Sequence, residues 1–333
     1  MSVIAVTVGD YNGIGPEVAL KAAASRTIRA NCTPLLIGPY KAFEFYAERY
    51  SLRRKILKVD SLHDAVGRSE ITILDICPDF SEKIRPGKLS KEGGLWAGRA
   101  IEKAVKLCVD NEADAMVTAP ISKESLRQAG YDYPGQTEMV TELSNSSGAI
   151  MIMASGFGRI ALATIHMPIS EVPASITKLR LHERLTTFNE SIMRDFGVKS
   201  PRIAVLGLNP HAGENGLIGK EEIESIRPAI QEANAMKIDA RGPFPADAFF
   251  GTYREGMYDG ILAMYHDQGL IPLKMRSFST GINFTAGIKI IRTSPDHGTA
   301  FDIAGKGIAN PSSTIEAIKL ALDISKNRKA SRK

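Results

Sequence analysis

Apolar, β-branched runs alternate with amphipathic, helix-like stretches almost from end to end of this chain. Strands are expected at 2–8 (SVIAVTV), 33–38, 70–76, 114–120, 149–154, 159–165, 202–208, 260–265 and 288–294. The clearest helix signal is 92–109, where Trp96, Ala97, Ala100, Ile101, Ala104, Val105 and Cys108 fall on one face at 3.6-residue spacing. Further helices are expected at about 16–30, 177–196, 221–235 and 312–325. Pro16 suits a first helical turn, and Glu17 beside it suits the positive end of the helix dipole. Ser312 or Ser313 is a candidate N-cap, and Glu316 follows Ser313 at capping-box spacing. Strands alternating with helices predict an α/β fold built on a mostly parallel, doubly wound sheet. The segments 80–95 and 240–250 carry no such period and are expected to be long loops beside a ligand cleft.

At 333 residues the chain exceeds one ordinary core and implies two domains. Its 44% hydrophobic and 24% charged residues are those of a globular protein. The longest apolar runs, such as AIMIMA, fall short of the roughly 18–20 residues that span a bilayer, so no membrane association is expected. MSVIAVTVGD enters a strand pattern at once, with no basic leader segment. The formal charge of +5 does not imply nucleic-acid binding, because Lys326, Arg328, Lys329, Arg332 and Lys333 supply as much positive charge in the tail alone. That tail is expected to be a frayed, solvated end. Cys32, Cys77 and Cys108 are odd in number and scattered, which argues against a disulfide framework or thiolate metal site and for a reducing, cytoplasmic setting.

Three of the six histidines stand just past strand-like runs: His166 in RIALATIHMP, His211 in RIAVLGLNPHAGE and His266 in GILAMYHDQG. Parallel α/β sheets bind ligands along the edge formed by the C-terminal ends of their strands. Three imidazoles gathered there would ligate a catalytic metal ion and leave positions open for water or substrate. Singly, each is equally an ordinary strand-end histidine. Asp267, next to His266, is either a further ligand or the partner that fixes the imidazole tautomer. Asp247, in PFPADAFF, is a second carboxylate near an expected loop; both acids could instead cap helices.

The first turn, GDYNGIGPE (9–17), places Gly13 and Gly15 before a helix N-terminus, where an anion can approach the backbone. It is not a dinucleotide fingerprint, since Val18 stands where the third glycine would be. Lys274, Asn283 and Arg292 form a spaced polar set in apolar sequence, a point charge and a planar fork suited to phosphate or carboxylate. DHGTAFDIAGKGIANP (296–311) is a candidate nucleotide loop, with Gly298, Thr299, Ala300, Asp302 and Asn310 the residues expected to follow the ligand.

Together GDYNGIGPE, VTAPISKE, PGQTE, TIHMP, GLNPHAGE, GPFPAD, YHDQGLIPLK and RTSPDHGTAFDIAG resemble, in order, the 4-hydroxythreonine-4-phosphate dehydrogenase family of pyridoxal phosphate biosynthesis. The resemblance implies a two-domain α/β/α architecture of the isocitrate and isopropylmalate dehydrogenase kind. It implies a homodimer with a shared active site that binds NAD and one divalent metal in the interdomain cleft. His166 and His211 match metal ligands of one subunit, and His266 matches the ligand from the other. Thr137, Lys274, Asn283 and Arg292 match substrate-binding positions. Residues 1–140 with 280–333 would form the nucleotide-associated domain, and 141–279 the metal-site and dimerisation domain. The family's usual histidine before the threonine of PGQTE is Gln136 here, which keeps a substrate contact but cannot carry charge. Tyr11 and Asn12 replace its usual Pro-Ala pair.

The activity implied is metal-dependent, NAD-linked oxidation of 4-hydroxythreonine 4-phosphate at its 3-hydroxyl. Loss of CO2 then yields 3-amino-2-oxopropyl phosphate. Asp247, Asp267 or a water on the metal would take the proton. Zinc, cobalt, manganese or magnesium would serve, and Asp302 with Ile303 leans towards NAD over NADP by analogy. Competing readings are a D-threonate or D-erythronate 4-phosphate dehydrogenase, which Gln136 favours, a metal-dependent phosphoester hydrolase, and a non-catalytic nucleotide sensor.

Overall fold

The computed structural model describes residues 1–277 and 280–331. Its strands are β1 (Val3–Thr7), β2 (Thr33–Gly38), β3 (Ile56–Val59), β4 (Ile71–Asp75), β5 (Ala115–Val117), β6 (Ile150–Ser155), β7 (Gly158–Leu162), β8 (Arg202–Leu206), β9 (Asp239–Phe244), β10 (Gly260–Ala263), β11 (Ile282–Ala286) and β12 (Arg292–Pro295). The chain forms two compact units, Met1–Ser147 with Ile288–Ser325, and Gly148–Gly287 with Lys326–Lys333.

In the first unit the strand order is β3-β4-β2-β1-β5-β12, parallel at every step. Every residue of β1, β2 and β5 is buried. Such strands lie under helices on both faces, which is why they read as continuous apolar runs rather than alternating ones. The helix Lys91–Val109 buries the face anticipated from its spacing, with Ser90 capping it by accepting the Gly93 N–H. Cys108 is buried on that face and its thiol is pushed up to about 12 by burial, as fits a packing residue; no disulfide joins the three cysteines.

In the second unit the order is β11-β6-β7-β10-β8-β9. Here β6 pairs antiparallel with both β11 and β7, while β7-β10-β8-β9 run parallel. Apolar residues from β6, β7, β8 and β10 form a core with Phe249, Leu270 and Leu273. Among the described residues no helix is long and apolar enough to cross a membrane.

Several expectations need correction. The helix expected at 16–30 breaks at Ser25, whose ψ of 128° leaves the helical region, giving helices Gly15–Ala24 and Arg26–Asn31. The strand expected at 288–294 begins only at Arg292. The segment 240–250 is not a loop: it holds most of β9, an edge strand that accommodates Pro243, and the start of the helix Ala246–Thr252. Of 80–95, only the part before Lys91 is irregular.

The basic tail is helical rather than frayed as far as Ala330, and Arg332 and Lys333 lie outside the described residues. The last helix runs Ser312–Ala330. Arg328, 9% exposed, donates from Nε to Asp195 Oδ1 at 2.6 Å, and Asn327 donates to the Asp195 carbonyl at 2.8 Å. Burial raises the Asp195 pKa, but Arg194 and Arg328 outweigh it and hold the carboxyl below its ordinary value. A depressed carboxylate contributes stability above its unfolded pKa and loses it as pH falls through the folded one. Asp195→Asn should therefore lower stability by about 3 kcal/mol near neutral pH, because a buried guanidinium loses its counter-charge. Thermal melts should show the gap between wild type and variant closing as pH drops below the usual carboxylate range.

Candidate functional site

The first βα turn of the first unit is buried throughout residues 8–14. Gly9, at φ 69°, sits so close to the Pro120 carbonyl that a side chain there would collide with it. A Cβ on Gly13 would stand 2.9 Å from the Thr299 carbonyl oxygen. Asp10 is fully buried; Oδ1 accepts the Asn12 N–H at 3.0 Å and Oδ2 accepts the Ser125 hydroxyl at 2.9 Å. Burial raises its pKa against those two hydrogen bonds. Asn12 accepts the Arg85 N–H on Oδ1 at 2.8 Å, donates to Ser90 Oγ at 3.1 Å, and its carbonyl accepts the Gly87 N–H at 2.8 Å. Tyr11 packs edge-on against Phe80 at 5.4 Å between centroids, and burial first of all pushes its phenol up to about 12. The two residues that depart from the family's first turn thus knit the 80–90 loop to it.

The candidate nucleotide loop lies on this turn. Ile14 donates to the Thr299 carbonyl at 2.9 Å, and Ile14, Val18, Ala304 and Ala309 form a small apolar cluster beneath. Ala300 takes a left-handed φ of 42°. Gly298, Asp302 and Asn310 are exposed. Asn310 Oδ1 accepts both the N–H and the hydroxyl of Ser312, at 3.0 and 2.7 Å, so the cap of the last helix comes from Asn310 rather than from either serine.

Arg292, on β12, is 2% exposed. Its Nε and Nη2 donate to Thr118 Oγ1 at 3.1 and 2.7 Å, and its Nη1 donates to Thr137 Oγ1 at 3.3 Å. Burial pulls the guanidinium down to about 10, against the opposing charge of Glu138. Gln136 begins the helix Gln136–Leu143; its Nε2 donates to the Ala119 carbonyl at 3.3 Å, and its Oε1 is buried without a hydrogen-bond partner. Thr118, at the end of DAMVTAP, was not anticipated. Its signal was only its place at a strand's C-terminal end.

In the second unit, β7 and β10 continue their pairing past their ends. Ala163 donates to the Ala263 carbonyl at 2.8 Å, and the Thr164 hydroxyl donates to Met264 O at 2.7 Å. That pairing delivers His166 and His266 side by side, with ring centroids 5.9 Å apart. Asp267 Oδ1 lies 2.7 Å from His266 Nδ1, which makes Nδ1 the donor and leaves Nε2 as the lone-pair nitrogen. His211 lies elsewhere in the loop after β8, exposed, in a run where His211, Ala212, Gly213, Glu214 and Asn215 all have left-handed φ. Among the described residues no group of three potential metal-binding side chains is close enough to hold an ion. Asp247 is exposed in the first turn of Ala246–Thr252, and Lys274 is half-buried on the helix His266–Ser277. Asn283, on β11, keeps a buried Oδ1 without a hydrogen-bond partner.

The residue that builds the His211 loop is Glu222, which reads in sequence as one more charge in a solvated helix. It is fully buried; Oε1 accepts the N–H groups of Leu208 and Asn209 at 2.7 and 2.8 Å, and Oε2 accepts the Asn209 amide at 2.9 Å.

A family model described as "Pyridoxal phosphate biosynthetic protein PdxA" matches residues 30–321. The chain is 40% identical over 326 residues to a 4-hydroxythreonine-4-phosphate dehydrogenase of Bacteroides thetaiotaomicron, covering 98% of this chain and 89% of that protein. It is 39% identical over 347 residues to a protein of Bradyrhizobium diazoefficiens named "Putative D-threonate 4-phosphate dehydrogenase", covering 99% and 98%. Its fold is similar to that of the 4-hydroxythreonine-4-phosphate dehydrogenase of Klebsiella pneumoniae, with a TM-score of 0.87 at 36% identity over 98% of this chain and all of that one.

Glu222→Ala would strip the acceptor from two main-chain donors and one amide. The expected cost is at least about 4.5 kcal/mol, from three hydrogen bonds to a carboxylate at roughly 1.5–3 kcal/mol each, read as a lower thermal midpoint. Glu222→Gln keeps one carbonyl oxygen and should lose clearly less. Equal losses in the two variants would contradict the acceptor role.

Proposed function

The chain belongs to the pyridoxal phosphate biosynthetic protein PdxA family, and from that premise we propose that it oxidises and decarboxylates 4-hydroxythreonine 4-phosphate with NAD and one divalent metal ion. The observation that carries this reading is the Arg292 cluster. A guanidinium buried to 2% exposure, faced by the hydroxyls of Thr118 and Thr137, is a receptor for an anionic oxygen group. Its depressed pKa marks the desolvation that an anionic ligand would offset.

The donor chemistry of the second unit fits a borderline divalent ion. His166 and His266 face each other as imidazoles, with the His266 tautomer set by Asp267. We assign His166 and His211 of one subunit, with His266 of the partner subunit, as the residues that would hold the ion, which would supply Lewis acidity at the substrate hydroxyl. Oxidation would pass one hydride from the substrate to NAD and release the hydroxyl proton, and the carbon that loses CO2 would take up a proton in its place, giving 3-amino-2-oxopropyl phosphate. The chain's own part is orientation. Arg292, Thr137 and Lys274 hold the phosphate, Asn283 and Gln136 offer their unpartnered carbonyl oxygens to substrate donors, and binding energy remote from the reacting carbon aligns it. With Asp267 engaged by His266, Asp247 is the carboxylate we nominate as base. Gly298, Thr299, Ala300, Asp302 and Asn310 are assigned to the nucleotide, and the active form is proposed as a cytoplasmic homodimer. Exposed Leu217, Ile271 and Met275 on the second unit support association.

A second substrate reading, D-threonate or D-erythronate 4-phosphate, draws support from Gln136 and from the Bradyrhizobium relative's name. A panel of four-carbon phosphorylated acids with NAD and several divalent ions, followed at the nicotinamide absorbance, decides between them. No NADH from any member would remove the dehydrogenase reading in favour of hydrolysis. Arg292→Met should raise KM for the phosphorylated substrate by on the order of 100-fold, as befits a charge-assisted anion contact, and leave KM for NAD nearly unchanged. Equal rises in both would count against an anion clamp. His211→Ala should abolish metal-dependent NADH formation.

A further inference from the structure

Glu17, Lys21 and Arg49 lie on helices of the first unit, and all three grip the main chain of the candidate nucleotide loop. Lys21 Nζ donates to Glu17 Oε1 at 2.6 Å and to the carbonyls of Gly307 and Ala309, each at 2.9 Å. Those three contacts use all three of an ammonium's N–H groups. Glu17, fully buried, accepts the Ala309 N–H on the same Oε1 at 2.8 Å. Arg49, at the end of the helix Tyr40–Arg49, donates from Nε to the Gly305 carbonyl at 2.6 Å. With Ile14 on Thr299, the backbone is pinned at 299, 305, 307 and 309.

Every pinned atom is a main-chain atom, while Asp302, Ile308 and Asn310 are exposed. A loop held this way offers a surface already in shape for a ligand, so the ordering cost falls on folding and not on binding. Tyr50, next to Arg49, belongs to the same clamp: its phenol is raised above its ordinary range, first by burial and then by the charge and side-chain hydrogen bond of Glu17.

We propose that Glu17, Lys21 and Arg49 are positioning residues for the nucleotide, presetting the 299–309 backbone. This rests on the nucleotide reading of the loop. The effect should fall on NAD affinity and not on the phosphorylated substrate.

The test is NAD binding by calorimetry on the full-length protein, with hydrogen exchange of the 299–309 peptides. Lys21→Met should weaken NAD binding and raise KM for NAD on the order of tenfold, with KM for the phosphorylated substrate unchanged. Lys21→Arg, which keeps donors for the carbonyls, should recover part of the loss. Arg49→Met, at an exposed helix end, should act in the same direction. Absence of NAD binding by the wild type would remove the nucleotide reading and the proposal with it. Normal NAD affinity in Lys21→Met and Arg49→Met, with faster exchange at 299–309, would overturn the positioning role and leave the nucleotide reading standing. A parallel rise in both KM values would reduce the clamp to general packing and overturn it too.

Discussion

Main chain packs directly on main chain at the first turn of the first unit, and that contact sets the register of everything around it. Gly9 lies against the Pro120 carbonyl and Gly13 against that of Thr299, where any side chain would force the segments apart. Because nothing larger than hydrogen intervenes, Asp10 can accept from Asn12 and Ser125 within a fully buried pocket. Asn12 can then hold residues 85–87, and Ile14 can hold Thr299. Segments from four regions of sequence meet at one rigid corner. Displacing any of them would orphan buried donors or acceptors in the others, which makes the corner cooperative.

What could be read from sequence follows from where each element lies in its sheet. Central strands such as β1 and β2 are buried on both faces, so they must be uniformly apolar, and they were plain. The helices Lys91–Val109 and Lys178–Phe196 have one apolar face against polar surroundings and were equally plain. The edge strand β3 carries half-exposed residues and β9 contains Gly242 and Pro243, so both lack the signal of a strand. The helix His266–Ser277 holds Pro272 and starts on the residues singled out for chemistry, and it was read as a motif and not as an element. The tail was misjudged because Arg328 looks like solvated charge until Asp195, 133 residues away, comes beside it.

The same logic divides the candidate site. His166 and His266 were legible because strand ends in parallel sheets point at ligands, and the pairing of β7 with β10 brings them together. Arg292 was legible as part of a spaced polar set in apolar sequence, and Thr137 only through family resemblance. Glu222, Glu17 and Lys21 were not legible as site residues at all. Their partners are main-chain atoms, whose positions depend on the finished fold and leave no trace in residue type. An acid that accepts backbone N–H groups and an acid that faces water have the same sequence pattern.

Both units nevertheless meet one physical problem in the same way. Each of the two candidate-site loops adopts costly left-handed conformations, at Ala300 in one unit and at His211, Ala212, Glu214 and Asn215 in the other. Left-handed geometry costs roughly 1–2 kcal/mol per ordinary residue, so the second loop carries roughly 4–8 kcal/mol. Hydrogen bonds to a buried carboxylate contribute roughly 1.5–3 kcal/mol each, and Glu222 makes three, for roughly 4.5–9 kcal/mol. The two sums nearly cancel. A loop balanced this way has little stability of its own and keeps its shape only while the carboxylate is in place. Glu17, which accepts Ala309 N–H and anchors Lys21, stands in the same relation to the loop above it. The buried acids Glu222 and Glu17 therefore act as the supports of strained loops.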